Sequence, residues 1–225
     1  MKKIFITCIL PAVFLLLLIS CDKDNLEPPS FKFTGRVMAA GEPAGVRASG
    51  ITFELWQKGY SPVARIPVLV GADGTFSALL YKGQYKMVGA RGNGPWIDPV
   101  DSIDVQIDGD KVMDFTVDPF FVIRDVSFQK NGATVTATCT VQSVNKTRTL
   151  EAVRLYLWPN LVIDQNNNSV IAAAANPVDI TKPVTITATI PASLANENYI
   201  FARLGVKTTG VAELIYSAPQ KIQLK

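Results

Sequence analysis

Beyond residue 30, apolar and polar residues alternate with a period of two, in short runs closed by Gly, Pro, Asn and Asp. That period belongs to strands that bury one face. Ile51, Phe53 and Leu55 alternate with Thr52 and Glu54, which leaves Trp56 on the polar side. Arg65 to Val70 reads as a strand, with Pro67 marking a sheet edge. Thr75 to Leu79, Gln84 to Val88, Ile103 to Ile107 and Met113 to Val117 follow. The cleanest run has Ala133, Val135, Ala137, Cys139 and Val141 alternating with Thr134, Thr136, Thr138 and Thr140. Val153, Leu155 and Leu157 alternate with Arg154 and Tyr156; Val184 to Ile190 and Ile200 to Val206 repeat the pattern. Asp73-Gly74, Lys82-Gly83, Asp108-Gly109-Asp110 and Asn131-Gly132 are turn signals. No segment carries a helical period; Ala172 to Ala175 suits one helical turn, too short to stand alone. The expectation is an all-β chain of two consecutive, independently folding β-sandwich domains, 31–119 and 120–225, the second with the strand count of an Ig-like sandwich, joined near Asp118-Pro119.

The first thirty residues break this pattern. Met1-Lys2-Lys3 is basic, and Ile4 to Ile19 is an apolar run shorter than the ~20 residues of a membrane-spanning helix. Ser20 is small, and Cys21 follows it at once. A basic start, a short apolar core and a small residue at the cut describe a secretory leader, here residues 1–20. Leu18-Ile19-Ser20-Cys21 resembles the lipoprotein box of bacteria, which implies lipidation at Cys21 and an anchor of two or three acyl chains. Residues 21–30 are polar and acidic and end in Pro28-Pro29-Ser30, the composition of a short tether. Asp22, Asp24 and Glu27 resemble the acidic export signal of lipoproteins that face the cell exterior.

Composition changes the picture by exclusion. The chain has no His, so Ser-His-Asp and Cys-His machinery and the commonest zinc ligand are absent. No enzyme activity, cofactor or metal is expected. Net charge is +3, and loss of Lys2 and Lys3 with the leader brings it near neutrality, which gives no electrostatic case for nucleic acid. Of the three Cys, Cys8 leaves with the leader and Cys21 takes lipid; Cys139 falls on an apolar face and reads as a small buried hydrophobe, with a reactive thiol as the alternative. Asp104, Asp108, Asp110 and Asp114 cluster around a predicted acidic hairpin; its spacing lacks the calcium-loop pattern and favours a plain turn. Asp101-Ser102-Ile103 resembles a short O-glycosylation motif.

One loop stands out as a ligand candidate. Arg91 to Pro99 carries two Gly, two Pro and Trp96. A stiff loop can hold an aromatic ring outward against a sugar face, with Asn93 and Asp98 hydrogen-bonding hydroxyls and Trp56 and Tyr60 as a second aromatic pair. The competing reading packs Trp96 between the domains.

Asp73-Gly74-Thr75-Phe76 followed by Leu80 to Tyr85 resembles the transthyretin-like hairpin of carboxypeptidase-regulatory modules, with Phe76 and Tyr85 in one core. Together with Cys21, Phe33 to Val37, Phe53 to Tyr60 and Asp114 to Val117, it makes nearly the whole mature chain resemble a two-domain Bacteroidetes lipoprotein family of unknown function. That resemblance implies an outer-membrane location facing outward. It also implies a non-catalytic role in polysaccharide uptake beside a TonB-dependent transporter and glycan-binding lipoproteins. Two functions stay open: a glycan-binding module, or a structural docking subunit with no ligand of its own.

Overall fold

The computed structural model describes residues 27–59 and 63–225, and Phe31–Lys225 forms one compact unit. The leader, Cys21 and Tyr60 lie outside the described residues. Among the described residues every regular element is a strand. The expected helical turn at Ala172 to Ala175 does not form: its first two residues close a strand, Val170–Ala173, and the next two have no regular structure.

Two sheets build the first domain. In one, β1 (Phe31–Ala39) lies antiparallel to β2 (Glu42–Pro43) and to β5 (Thr75–Leu80). Along its other edge β1 runs parallel to β8 (Lys111–Val112) and β9 (Phe115–Val117). The second sheet is an antiparallel ladder in the order β4 (Arg65–Leu69), β3 (Thr52–Gln57), β6 (Gly83–Gly89), β7 (Ile103–Ile107). The chain around Asp108-Gly109-Asp110 is therefore a crossover from one sheet to the other, and the expected acidic hairpin does not form. Its carboxylates separate onto different partners: Asp104 onto Lys86, Asp110 onto the Lys32 N–H, Asp114 onto Arg36. Gly35 makes the crossover fit, since a Cβ there would stand 1.8 Å from the Met113 carbonyl oxygen.

The core of this domain is aromatic. Phe53 contacts Phe76 and Phe115 at centroid distances of 5.9 and 4.4 Å, and Phe33 contacts Phe76 at 5.5 Å. Phe76 and Tyr85 are both buried in the same cluster, as the hairpin motif implied.

The second domain pairs β10 (Phe121–Asn131), β11 (Thr134–Ser143) and β14 (Val184–Thr189) in one sheet. In the other, β13 (Val170–Ala173), β12 (Leu150–Trp158) and β15 (Tyr199–Thr208) are adjacent, and β16 (Ile215–Tyr216) and β17 (Gln220–Gln223) share the far edge of β15. Cys139 faces inward from β11, and burial pushes its thiol up to about 11, so it stays protonated. On the opposite face Thr136 bonds Thr187 and Thr138 lies against Thr185.

The two domains are closely joined. One continuous apolar cluster runs from Phe33 through Trp96 and Phe120 to Val153 and Leu204. The junction is no free linker: Asp118 accepts a hydrogen bond from the Ile97 N–H at 2.9 Å, and Phe120 donates to Pro95. A backbone bridge joins Gly45 to Tyr216, and Arg47 pairs with Glu213 at 2.5 Å.

Arg203, 1% exposed, completes the joint. It leaves the outer face of β15 and donates to Ser217 and Ile163 in its own domain, at 2.8 and 2.9 Å. Its remaining nitrogen donates to Val46 and Ala72 of the first domain, at 3.1 and 2.8 Å. The guanidinium sits 4.5 Å from the centre of the Tyr216 ring. Burial lowers its pKa to about 10, which leaves it a cation at neutral pH.

Candidate functional site

The loop singled out by sequence turns inward. Trp96 is 4% exposed, and its indole folds over Gly94, where an added Cβ would stand 2.2 Å from the ring. A backbone bridge ties it to Pro119. The expectation of an outward stacking ring is thus corrected in favour of packing at the domain junction. The physical reason is area: a Trp side chain gains more from the apolar contact there than from a half-solvated loop position. Asn93 is a loop pin: its Oδ1 accepts the Thr52 N–H at 2.5 Å and its Nδ2 donates to Gly50. Asp98 accepts the Gly92 N–H at 2.7 Å. Glycines and prolines that suggested a display loop serve instead to wrap the chain around the junction.

Trp56 is half-buried on the outer face of the β4-β3-β6-β7 sheet, in register with Arg65 and Lys86. Its indole N–H donates to Glu54 at 3.2 Å, and Glu54 also holds Arg65 at 2.8 Å. The ring is therefore set in a charged sheet face, away from the Trp96 loop. Its expected partner Tyr60 falls outside the described residues.

The aromatic surface that sequence reading missed lies on the second domain. On β12 and β15 the inward residues Val153, Leu155, Leu157, Ile200, Ala202 and Leu204 are fully buried. The outward positions should be polar, as Arg154 is. Instead they hold Tyr156 and Trp158 on β12 and Tyr199, Phe201 and Arg203 on β15. Register places Trp158 opposite Phe201, and Tyr156 opposite Arg203. Towards the first domain Tyr156 and Tyr216 are buried in a small second core with Ile163 and Leu214.

Away from that domain the row stays open. Trp158 and Phe201 are half-buried and Tyr199 is 38% exposed. Tyr199 meets Phe201 edge-on at 5.8 Å. Lys221, in register with Phe201 on β17, holds its ammonium 3.7 Å from the Tyr199 ring centre. The chain leaving Trp158 exposes Leu161 and Val162, at 58 and 50%. The signal was available in the sequence: Tyr199 and Phe201 alternate out of phase with Ile200 and Ala202, and Trp158 shares the parity of Arg154.

Two concave sites flank the domain joint. A cavity of about 640 Å³ beside Trp96 is lined by Asp98 and Phe120 and by the loops at Arg148 and Val211. A wider groove of about 910 Å³ is bordered by Arg36, Asp73, Arg124, Asp125 and Phe128. Arg124 there pairs with Glu42 across the domains, and Asp125 has a left-handed backbone, φ 52°, at a bulge in β10. Among the described residues no group of three His, Cys, Asp or Glu is gathered to hold a metal ion.

Comparison with known proteins follows the same two-part division. The model of the N-terminal domain of DUF3823, a protein of unknown function, matches residues 31–118. That of DUF3823_C, a domain of unknown function, matches residues 121–221. None of the curated proteins matches the chain. A crystal structure of a DUF3823 family protein from Bacteroides ovatus is 36% identical, with a TM-score of 0.82 over 87% of this chain and 100% of that one. A second, from Parabacteroides merdae, is 29% identical, with a TM-score of 0.80 over 87% and 99%. A third structure shares the fold at 17% identity, with a TM-score of 0.72 over 87% and 100%. It is a Bacteroides uniformis protein described provisionally as carbohydrate-binding.

Proposed function

We propose that this chain, which belongs to the DUF3823 family, binds an extracellular glycan through the aromatic row of its second domain. In this reading it is a lipid-anchored outer-membrane protein facing outward, a non-catalytic accessory of polysaccharide uptake. The observation that carries the reading is the row Trp158, Phe201 and Tyr199 on an open sheet face. Sugar rings present C–H faces that pack on aromatic rings and hydroxyl edges that seek polar groups. Trp158 and Tyr199 lie roughly 8 Å apart by strand spacing and rise, wider than one sugar ring, so the row suits a chain. If stacking on a sugar resembles stacking on a base, each ring contributes about 1–3 kcal/mol. The affinity then falls in the millimolar to micromolar range, roughly −4 to −8 kcal/mol. The shared fold of the Bacteroides uniformis protein is consistent with this reading and adds little weight at 17% identity.

Affinity electrophoresis of the soluble chain, residues 22–225, through gels containing different polysaccharides tests the proposal. At least one polysaccharide should retard the wild type, and Trp158→Ala and Phe201→Ala should abolish the retardation; both rings also pack on the small second core, so the melting temperature should drop a little while the circular dichroism spectrum at the gel temperature stays native. Trp56→Ala, on the other domain, should leave it intact. Retardation that survives both second-domain substitutions would refute the assignment. Fatty-acid labelling of the full chain against Cys21→Ala tests the anchor; equal label in both would end it.

A second reading, a docking subunit, has its own support. Leu161 and Val162, which follow Trp158 in the chain, expose apolar side chains, and a protein partner would cover them as readily as a sugar covers the rings. It gains if every polysaccharide fails.

A further inference from the structure

We propose that the cavity beside Trp96 is a second binding site, separate from the aromatic row, and that it takes an acidic monosaccharide unit, a uronate. The inference extends the glycan reading to another surface and stands on the cavity's own chemistry.

The cavity is built by three loops from two domains: residues 92–98, 147–148 and 210–212. Ligand sites favour such domain junctions. Its volume of about 640 Å³ lies within the ordinary range for small-molecule sites, roughly 300–1,000 Å³. Its walls are of three kinds. Ile97, 38% exposed, gives an apolar side, with only the edges of the buried Trp96 and Phe120 showing behind it. Gly92 and Gly210, both exposed, leave backbone uncovered, so a ligand can approach the main chain closely.

The third wall is charged. Arg148 is exposed, and its guanidinium stands over the Phe120 ring at 5.8 Å. Its hydrogen bond is a long one, 3.4 Å from Nη1 to the Thr209 carbonyl, and among the described residues no carboxylate pairs with it. A planar fork held on an aromatic ring with its edge free is the geometry that receives a carboxylate two-pronged. Gly210 leaves room for it, because a Cβ there would come within 2.9 Å of Nη1.

Asp98 supplies the complementary half. One carboxylate oxygen is held by the Gly92 N–H, and among the described residues the other has no partner. A sugar hydroxyl can donate to it. The charges that adjoin or contact the lining loops are Arg91, Lys146 and Lys207 against Asp98, Asp118 and Glu213, and Glu213 is already paired with Arg47. A ligand with one apolar face, several hydroxyls and one carboxylate matches all three walls.

Isothermal titration of the soluble chain with galacturonate and glucuronate oligosaccharides tests this, with the neutral galactose and glucose oligomers and with acetate as comparisons. At least one acidic oligomer should bind, its neutral counterpart about tenfold or more weaker. Arg148→Gln should bring the acidic oligomer down to the neutral level, while Trp158→Ala leaves the difference between them unchanged. An affinity for acidic oligomers that Arg148→Gln does not alter overturns the cavity site. If Trp158→Ala alone removes that affinity, the aromatic row survives and the cavity does not. Acetate binding as tight as the oligomer would reduce the site to a bare anion contact and overturn the sugar. Arg148→Lys guards against a structural artefact: it keeps the charge without the fork, and it should recover only part of the loss with an unchanged melting temperature.

Discussion

Replacing Arg203 with Met removes the guanidinium from the domain joint while filling much of its space. Four carbonyl oxygens, of Ser217, Ile163, Val46 and Ala72, lose their donor. The Ala72 carbonyl keeps the Val46 N–H at 3.1 Å, so up to three acceptors are left bare. Each unsatisfied buried acceptor costs about 1–3 kcal/mol. Against this, the substitution removes the desolvation of a buried cation, itself several kcal/mol. The contact with Tyr216 is also lost, about 0.5–2 kcal/mol for such a cation–π pair. The bared acceptors and the lost contact outweigh the relieved desolvation, for a net loss of about 2–4 kcal/mol. Urea unfolding of the soluble chain measures it, followed by tryptophan fluorescence and by far-ultraviolet circular dichroism. The two probes should coincide for the wild type. For Arg203→Met, made in a Trp56→Phe, Trp158→Phe background in which Trp96 is the one emitter, the midpoint should fall and the probes should separate, because Trp96 reports the junction and circular dichroism reports all strands. Arg203→Lys should recover less than half, since one ammonium cannot reach four diverging carbonyls. A loss below about 1 kcal/mol with coincident probes would refute the view that Arg203 joins the domains.

Gly94→Ala should displace the Trp96 indole and cost about 1–3 kcal/mol as an overpacked site, with a red-shifted emission; unchanged emission and midpoint would contradict the observed packing. Cys139 should resist a thiol reagent in the native chain and react fully in urea, as burial and a pKa near 11 require; native labelling at the free-thiol rate would revive the reactive alternative. Acid should loosen the first domain. The Arg36 guanidinium and backbone N–H hold the Asp114 carboxyl below its ordinary value. Its contribution is therefore complete above about pH 4 and lost as pH falls through the lowered value. Asp114→Asn should flatten that acid decline, and an identical pH profile would show that the pair is idle.

Alternation was enough to reveal the strands, since one buried face per strand leaves its period in the sequence. Phe76, Tyr85 and Cys139 each went where their parity put them. The parallel pairing of β8 and β9 with β1 left no local mark, because Asp108-Gly109-Asp110 has the same composition whether it closes a hairpin or crosses between sheets. Trp96 misled for a related reason. Its Gly- and Pro-rich surroundings report that the backbone bends, and the direction of the ring depends on a domain that begins twenty-odd residues later. Arg203 reads as an ordinary outward strand cation until another domain is laid on that face. The aromatic row was legible, in Tyr199 and Phe201 on the wrong parity, and was passed over because alternation was read for what it buries and not for what it leaves outside.

The joint places its demands unevenly along the chain. All four groups that Arg203 grips are main-chain oxygens, and every residue type supplies one. Positions 46, 72, 163 and 217 are thus free to change side chain, as far as this contact is concerned, while the backbone keeps its path. Position 203 has no such freedom, because only a five-donor planar head on a long stem spans the gap. Variation in the four gripping loops, two of which line the wider groove at Ala72 and Ser217, is therefore decoupled from the posture of the two domains. Ligand preference can diversify around one invariant bolt.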